Sequence, residues 1–337
     1  MEAVCVNKLL APLVGDASPV TVIGLCKNAG KTTAMRRLMA ELGDECLGLT
    51  SVGRDGEATD LVTGTEKPDL YIKAGDLFAT ARGMMRLCDG TLEVADLTGV
   101  MTPVGEVVVF RALSDGYVQL AGPSAAGQLP ALCERFAALG ARRVIIDGAA
   151  GRKSLAGAGT AGAAILCTGA SLDRDMGLVV AETAHVCRLF SSKRPDSAAL
   201  CAALDACGER FALFRPDGEP LELPVDENGS PRWGRLPREH CVLWAAGGVT
   251  DPLVKTLARR GAPLTLAAAD ATHVLAGRAA MDLFARSGGR LVVRRELSIA
   301  AVGANPWSAY GWHFNPERFT AALRQALDLP VVNVKEG

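Results

Sequence analysis

Residues 20–33 read VTVIGLCKNAGKTT, an apolar run of strand length that breaks at Gly24 and continues into a helical pattern from Lys31. A strand that leads through a glycine-containing loop into a helix directs the helix dipole and the first backbone N–H groups to one place. Phosphate groups bind at such helix starts. We therefore expect a phosphate-binding loop (P-loop) with these contact residues: Gly24, Lys27, Asn28, Ala29, Gly30, Lys31, Thr32 and Thr33.

The residue types in this loop predict a bound nucleoside triphosphate with Mg²⁺. Lys31 would bridge the terminal phosphate oxygens as a catalytic group, and the Thr32 hydroxyl would ligate the metal. Lys27 either covers the phosphates or is solvated. The spacing departs from the usual one, because five residues instead of four separate Gly24 from Gly30. Leu25 thus occupies the position of the usual first glycine.

Two acidic residues are candidates for catalysis and for binding the metal. Residues 143–148 read RVIIDG, an apolar strand that delivers Asp147 to its carboxyl end, where a magnesium-bound or attacking water needs a carboxylate. Residues 53–57 read GRDGE and follow the second predicted strand, so Asp55 is interpreted as part of a switch loop. The simpler alternative for both residues is a solvated aspartate in a turn.

The chain is predicted to be α/β, with a mostly parallel, doubly wound P-loop NTPase sheet and a second, smaller α/β unit. Apolar runs of strand length alternate with segments of helical period, and aromatic residues make up only 5% of the chain. We assign residues 1–190 to the nucleotide-binding domain, 191–239 to a proline-rich linker or insertion, and 240–337 to a smaller domain that could bind a partner. In doubly wound sheets, ligands lie beyond the carboxyl ends of the strands.

Other segments are predicted to meet at the same edge or to form a surface of their own. Residues 122–124 (GPS) and 168–171 (TGAS) end two further apolar runs, although Ser124 and Ser171 could simply be helix N-caps. Residues 305–312 read NPWSAYGW and concentrate aromatic side chains. This aromatic loop is either a partner surface or a locally packed loop of the smaller domain.

Composition argues against several classes of partner and location. With 36 basic and 37 acidic residues, the formal net charge is −1, which does not suggest binding to nucleic acid or to a membrane surface. The ten cysteines are scattered without a CxxC pair, as in reduced proteins. No signal-type or membrane-spanning run is found, so a cytoplasmic location is expected. The guanine-reading motif NKxD is missing, which favours adenine.

Three segments together, residues 27–33, 53–57 and 146–149, resemble the ATPase subunit of the lysine 5,6-aminomutase reactivase. The similarity extends to residues 168–170 and 305–306. This resemblance implies an ATP-driven, Mg²⁺-dependent reactivating factor. Such a factor acts with a MutS-like partner subunit to restore an adenosylcobalamin-dependent aminomutase, of the lysine or ornithine type, whose cofactor has been damaged. It also implies that the Asp55 loop alternates between ordered and released states during the ATP cycle.

Two other classes share the strand and P-loop arrangement. One is an ATP-dependent small-molecule kinase or synthetase similar to dethiobiotin synthetase, in which Lys31 would steer a transferred phosphoryl group. The other is a metallochaperone NTPase. The sequence shows no evident constellation for binding an acceptor, which argues against the first class, and no Cys/His cluster, which argues against the second.

Overall fold

The computed structural model describes residues 9–52, 70–148 and 162–336. The helices in these ranges are α1 (Ala11–Val14), α2 (Lys31–Leu42), α3 (Leu129–Ala138), α4 (Met176–Phe190), α5 (Ala198–Ala206), α6 (Asp251–Ala258), α7 (Arg278–Arg286) and α8 (Pro316–Ala326). None of these helices has both the length and the apolar character that a membrane span requires.

The strands of the described ranges are, in chain order, β1 (Val20–Gly24), β2 (Leu47–Ser51), β3 (Leu70–Ile72), β4 (Leu77–Ala81), β5 (Leu92–Thr102), β6 (Gly105–Ala112), β7 (Gly116–Val118), β8 (Arg143–Asp147), β9 (Ala163–Gly169), β10 (Phe211–Phe214), β11 (Pro220–Leu221), β12 (Cys241–Ala245), β13 (Leu264–Ala268), β14 (Gly289–Val293), β15 (Ile299–Asn305) and β16 (Val331–Asn333). The chain forms two compact units, Met1–Thr183 with Ser298–Gly337, and Ala184–Leu297.

The first unit is built on a nine-stranded sheet with the strand order β16-β15-β9-β1-β8-β2-β4-β6-β5. Strands from β16 to β4 are parallel, and β6 and β5 extend the sheet in antiparallel pairing. Every residue of β1 and of β2 is buried, as is typical of strands covered on both faces of a parallel sheet. The prediction of an α/β fold with a mostly parallel sheet is confirmed.

Alternate residues of β8 pack into two different hydrophobic clusters. Ile145 joins the cluster that contains Met35 and Leu38 of α2. Val144 and Ile146 join the other cluster, which contains Phe136 of α3. Because successive side chains of a strand point to opposite faces, α2 and α3 cover opposite faces of the sheet.

The second unit has a five-stranded sheet with the order β11-β10-β12-β13-β14, in which β12, β13 and β14 are parallel. Residues 191–239, predicted to be a linker or an insertion, provide α5, β10 and β11 of this unit. The reason is apolar packing, because Leu200 and Leu204 of α5 and Phe214 of β10 pack with the fully buried Trp244.

The structure also divides the carboxyl-terminal part of the chain differently from the predicted domain 240–337. Residues from Ser298 onwards belong to the first unit, because β15 pairs in parallel with β9 and β16 pairs with β15. The boundary at the other end lies after Thr183, within α4, and not at the predicted residue 190. The aromatic loop 305–312 therefore belongs to the first unit.

A buried carboxylate organises the carboxyl end of β13 in the second unit. Asp270 is fully buried and accepts hydrogen bonds from the Thr272 backbone N–H (3.0 Å) and from the Thr272 hydroxyl. Its carboxylate also contacts His273 Nδ1 at 2.9 Å and Arg295 Nη2 at 2.9 Å. The charge of Asp270 is thus compensated within one cluster, as burial of an ionised group requires.

Candidate phosphate-binding site

The loop after β1 begins one residue later than the position of Gly24 suggests. The Leu25 N–H donates to the carbonyl of Cys167 at 3.0 Å, which extends the ladder between β1 and β9 beyond Gly24. Leu25 therefore continues the backbone pairing of β1 with β9, although β1 itself ends at Gly24. This explains why a leucine occupies the position of the usual first glycine.

Two residues with positive φ shape the turn into α2. Asn28 has a φ of 61° and Gly30 has a φ of 98°. Asparagine is one of the few residues with a side chain that adopt this left-handed conformation at low cost. Ala34 N–H donates to Gly30 O at 2.9 Å and begins the hydrogen bonding of α2. The N–H groups of residues 31–33 precede this bond, so they have no carbonyl partner within the helix and are available to an anion.

The stem of Lys31 lies across the start of the loop. A Cβ atom at Gly24 would come within 3.1 Å of Lys31 Cγ and 3.2 Å of Lys31 Cδ, so any larger residue here would have to displace the Lys31 stem slightly. The Lys31 charge lies near two thiols. Burial raises the pKa of Cys26 and of Cys167, the latter to about 12, and the positive charge of Lys31 opposes the rise at both.

Asp147 lies at the carboxyl end of β8, which is the strand next to β1. It is paired in register with Val22 of β1 on one side and with Ser51 of β2 on the other. The Gly148 N–H donates to Val22 O at 2.9 Å, which holds this strand end against β1. The Asp147 charge also adds to the raised pKa of Cys167, so Asp147 and Lys31 act on the same buried thiol.

The side chain of Asn28 provides a buried donor within the loop. Among the described residues, no hydrogen-bond acceptor lies within reach of its Nδ2 atom, which is fully buried. A buried amide without an acceptor is costly, and an oxygen of a bound anion would satisfy it. The donor chemistry of the loop therefore fits a phosphate group.

Seven of the eight predicted contact residues, 27–33, line one pocket of about 410 Å³. Gly24 lies at the base of the loop, below Lys31. The rest of the lining is not among the contact residues predicted from the sequence; it consists of Asn305, Trp307, Ser308, Ala309 and Lys335. Ligand pockets commonly have volumes of about 300–1,000 Å³, so this one is large enough for a nucleotide.

Asn305 brings the end of β15 against the loop. Its Nδ2 donates to Asn28 O at 3.3 Å, and a Cβ atom at Gly30 would lie 2.9 Å from Asn305 Cβ. A Cβ atom at Gly169 would lie 2.1 Å from Asn305 O, so the ends of β9 and β15 also approach closely. The signal in the sequence is the polar break Asn305-Pro306 after an apolar run, in a segment predicted to belong to the smaller domain.

The remaining predicted residues have different outcomes. Asp55 and its loop lie outside the described residues, so only Asp147 and Thr32 of the proposed metal ligands can be placed. Residues 122–124 do not follow a strand of the large sheet, but Gly122 N–H donates to Ser51 Oγ at 3.1 Å and so lies at the same edge. Ser171 Oγ accepts from Ala309 N–H at 3.3 Å, while Asp175 binds the first turn of α4.

In the ranges 9–52, 70–148 and 162–336, no three His, Cys, Asp or Glu residues group as a metal site.

Comparison with known proteins found no matching family model, no matching curated protein and no matching solved structure.

Proposed function

We propose that this chain is a P-loop NTPase that binds ATP with Mg²⁺ at residues 24–33 and hydrolyses it. The observation that carries the proposal is the turn formed by Asn28 and Gly30, which leads from a buried strand to the start of α2 with Lys31 folded back over Gly24. A helix start with unpaired N–H groups and an adjacent lysine is an arrangement that cradles polyphosphates.

Different residues of the site would bind the phosphates, bind the metal and orient the attacking water. The Lys31 ammonium would hold the terminal phosphate oxygens, and the N–H groups of residues 31–33 would bind the phosphate nearest to the helix. The Thr32 hydroxyl and the Asp147 carboxylate are oxygen ligands, which suit Mg²⁺. When bound, Mg²⁺ would neutralise charge on the phosphates. Asp147 could also orient the attacking water.

We further propose that the energy of ATP serves a reactivating factor for an adenosylcobalamin-dependent aminomutase, acting with a MutS-like partner subunit in the cytoplasm. The support for this use is the resemblance of residues 27–33, 53–57 and 146–149 to the reactivase ATPase subunit. In this scheme, nucleotide hydrolysis changes the loop that contains Asp55, and that change is passed to the partner or the mutase.

Replacing Thr32 with valine tests the proposed metal ligand. The change removes the hydroxyl but keeps the shape, so we expect affinity for ATP in the presence of Mg²⁺ to fall about tenfold, in line with the loss of one hydrogen bond to a charged group. Affinity for ATP in excess chelator should equal that of the wild type. Both affinities are measured by isothermal titration calorimetry. Thr256→Val, at an exposed position of α6, is the matched control. An unchanged dependence on Mg²⁺ in Thr32→Val would contradict the assignment.

Turnover with and without the proposed partners tests the reactivase function. The chain alone should hydrolyse ATP slowly, and addition of inactivated aminomutase with the MutS-like subunit should raise the rate by more than about fivefold, the lower end of ordinary coupling between sites. Phosphate release is the readout, with active aminomutase as the control. The proposal fails if a metabolite extract instead yields a phosphorylated or ligated product in stoichiometry with ADP, since that result identifies a kinase or synthetase.

A further inference from the structure

The loop that follows β15 is fixed by its own hydrogen bonds. Ser308 N–H donates to Trp312 O at 2.9 Å, and Phe314 N–H donates to Pro306 O at 2.9 Å. Asn305 Oδ1 accepts from Trp307 N–H at 3.3 Å, so the residue that contacts the P-loop also orients the start of this loop. The segment is therefore pre-organised and does not need to fold around a ligand.

The same loop is anchored to the segment that follows β9. Trp312 Nε1 donates to Ala170 O at 3.0 Å, and the Arg174 guanidinium lies 4.7 Å from the centre of the Trp312 ring. Because β9 is the neighbour of β1, these contacts hold the aromatic loop at the edge where the P-loop lies.

Trp307 presents an aromatic surface to the P-loop pocket. It lines this pocket together with residues 27–33, and 48% of its surface is exposed. Its ring stacks on the ring of His313, with centres 4.6 Å apart and an angle of 25° between the planes. The imidazole covers one face of the indole, and about half of the residue's surface remains exposed to a ligand.

Tyr310 provides an instructive contrast on the same loop. It is 47% exposed and stacks on Trp312 at 5.5 Å, but it is not among the residues that line the pocket. Exposure alone therefore does not distinguish Trp307. Its distinguishing feature is that it shares one pocket with the phosphate-binding N–H groups.

We propose that Trp307 is the stacking platform for the purine base of the bound nucleotide. This inference rests on the proposed function, because it assigns the base end of the same nucleotide whose phosphates bind at residues 28–33. An aromatic ring supplies favourable stacking to any base, and a purine covers the indole more completely than a pyrimidine does. The site thus prefers ATP and GTP to CTP and UTP.

The test compares ATP with inorganic tripolyphosphate, which lacks the base and the ribose, in calorimetric titrations of the full chain. Trp307→Ala should weaken ATP binding about 10- to 100-fold, as expected for the loss of one base stack, and should leave tripolyphosphate binding unchanged. Trp307→Phe should retain most of the ATP affinity. Tyr310→Ala, the matched control, should bind both ligands as the wild type does. ATP should also quench tryptophan fluorescence in the wild type more than in Trp307→Phe.

Three outcomes would overturn the inference. Unchanged ATP affinity in Trp307→Ala would do so and would leave the phosphate site intact. An equal loss of ATP and tripolyphosphate binding would show that Trp307 supports the loop and does not bind the base. Loss of aminomutase-stimulated turnover with normal ATP affinity would make Trp307 part of a partner surface. The proposed function itself fails separately, if the wild type binds neither ligand.

Discussion

Replacement of Lys31 by alanine is expected to reduce ATP turnover about 100- to 1,000-fold, the size of effect seen when one donor to developing charge is removed. Affinity for ATP with Mg²⁺ should also fall about 10- to 100-fold, because a charge-assisted hydrogen bond is lost. Both losses are expected because of where Lys31 lies. The Lys31 stem crosses Gly24 at the start of the loop, which places this lysine at the first position of α2, where the phosphates would bind.

This prediction is checked by phosphate release and by calorimetry on the same preparations. Lys73→Ala serves as the matched control, since Lys73 is an exposed lysine of the first unit that lies outside the P-loop pocket. Circular dichroism should show that both variants keep the fold. If Lys31→Ala retained full affinity and turnover, residues 24–33 would not be the nucleotide site.

Replacement of Asp270 by alanine is expected to lower the free energy of unfolding of the second unit by about 3–5 kcal/mol, the usual cost of breaking a buried ion pair. The variant would lose an acceptor for Thr272, for His273 and for Arg295 at once. Hydrogen exchange of peptides from residues 264–295, measured in increasing denaturant, reports on this unit. Asp282→Ala is the control, because its ion pair with Arg188 is exposed and should contribute at most about 1 kcal/mol.

The Asp270 cluster also predicts how the second unit responds to acid. Burial alone raises the pKa of the Asp270 carboxyl, but hydrogen bonds from His273 and Thr272, with the charges of His273 and Arg295, outweigh it and lower the pKa to about 2. Because the pKa is lower in the folded state than its ordinary value of 3.8, the carboxylate contributes stability above about pH 4. That contribution is lost as the pH falls through about 2. The difference between wild type and Asp270→Ala should therefore narrow in this range, and a constant difference would contradict the assignment.

The local part of the candidate site could be predicted from the sequence. β1, the loop and α2 are contiguous, so the apolar run, the glycines and the Lys-Thr-Thr sequence could be interpreted together. Asp147 could be predicted in the same way, since an apolar run that ends in an aspartate needs no distant information. Leu25 shows the limit even here, because its role depends on a hydrogen bond to Cys167, 142 positions away.

The non-local part of the site could not be predicted. Asn305 and Trp307 reach the P-loop because β15 pairs with β9, and nothing in the spacing of apolar residues reveals which strands pair. The chain leaves the first unit after Thr183 and returns at Ser298. The α/β pattern of apolar runs continues through the second unit, so the sequence suggests one domain boundary near residue 191. It gives no sign that the chain re-enters the first unit at Ser298.

The backbone hydrogen bond of Leu25 determines which positions of this loop can accept other amino acids. The interaction at position 25 is a backbone hydrogen bond to Cys167, so this position does not require glycine. Position 28 is more restricted and favours asparagine, aspartate or glycine, because its φ is 61°. A search pattern that demands glycine five residues before Gly30 would therefore reject this chain, whereas one that accepts asparagine, aspartate or glycine at position 28 would retain it.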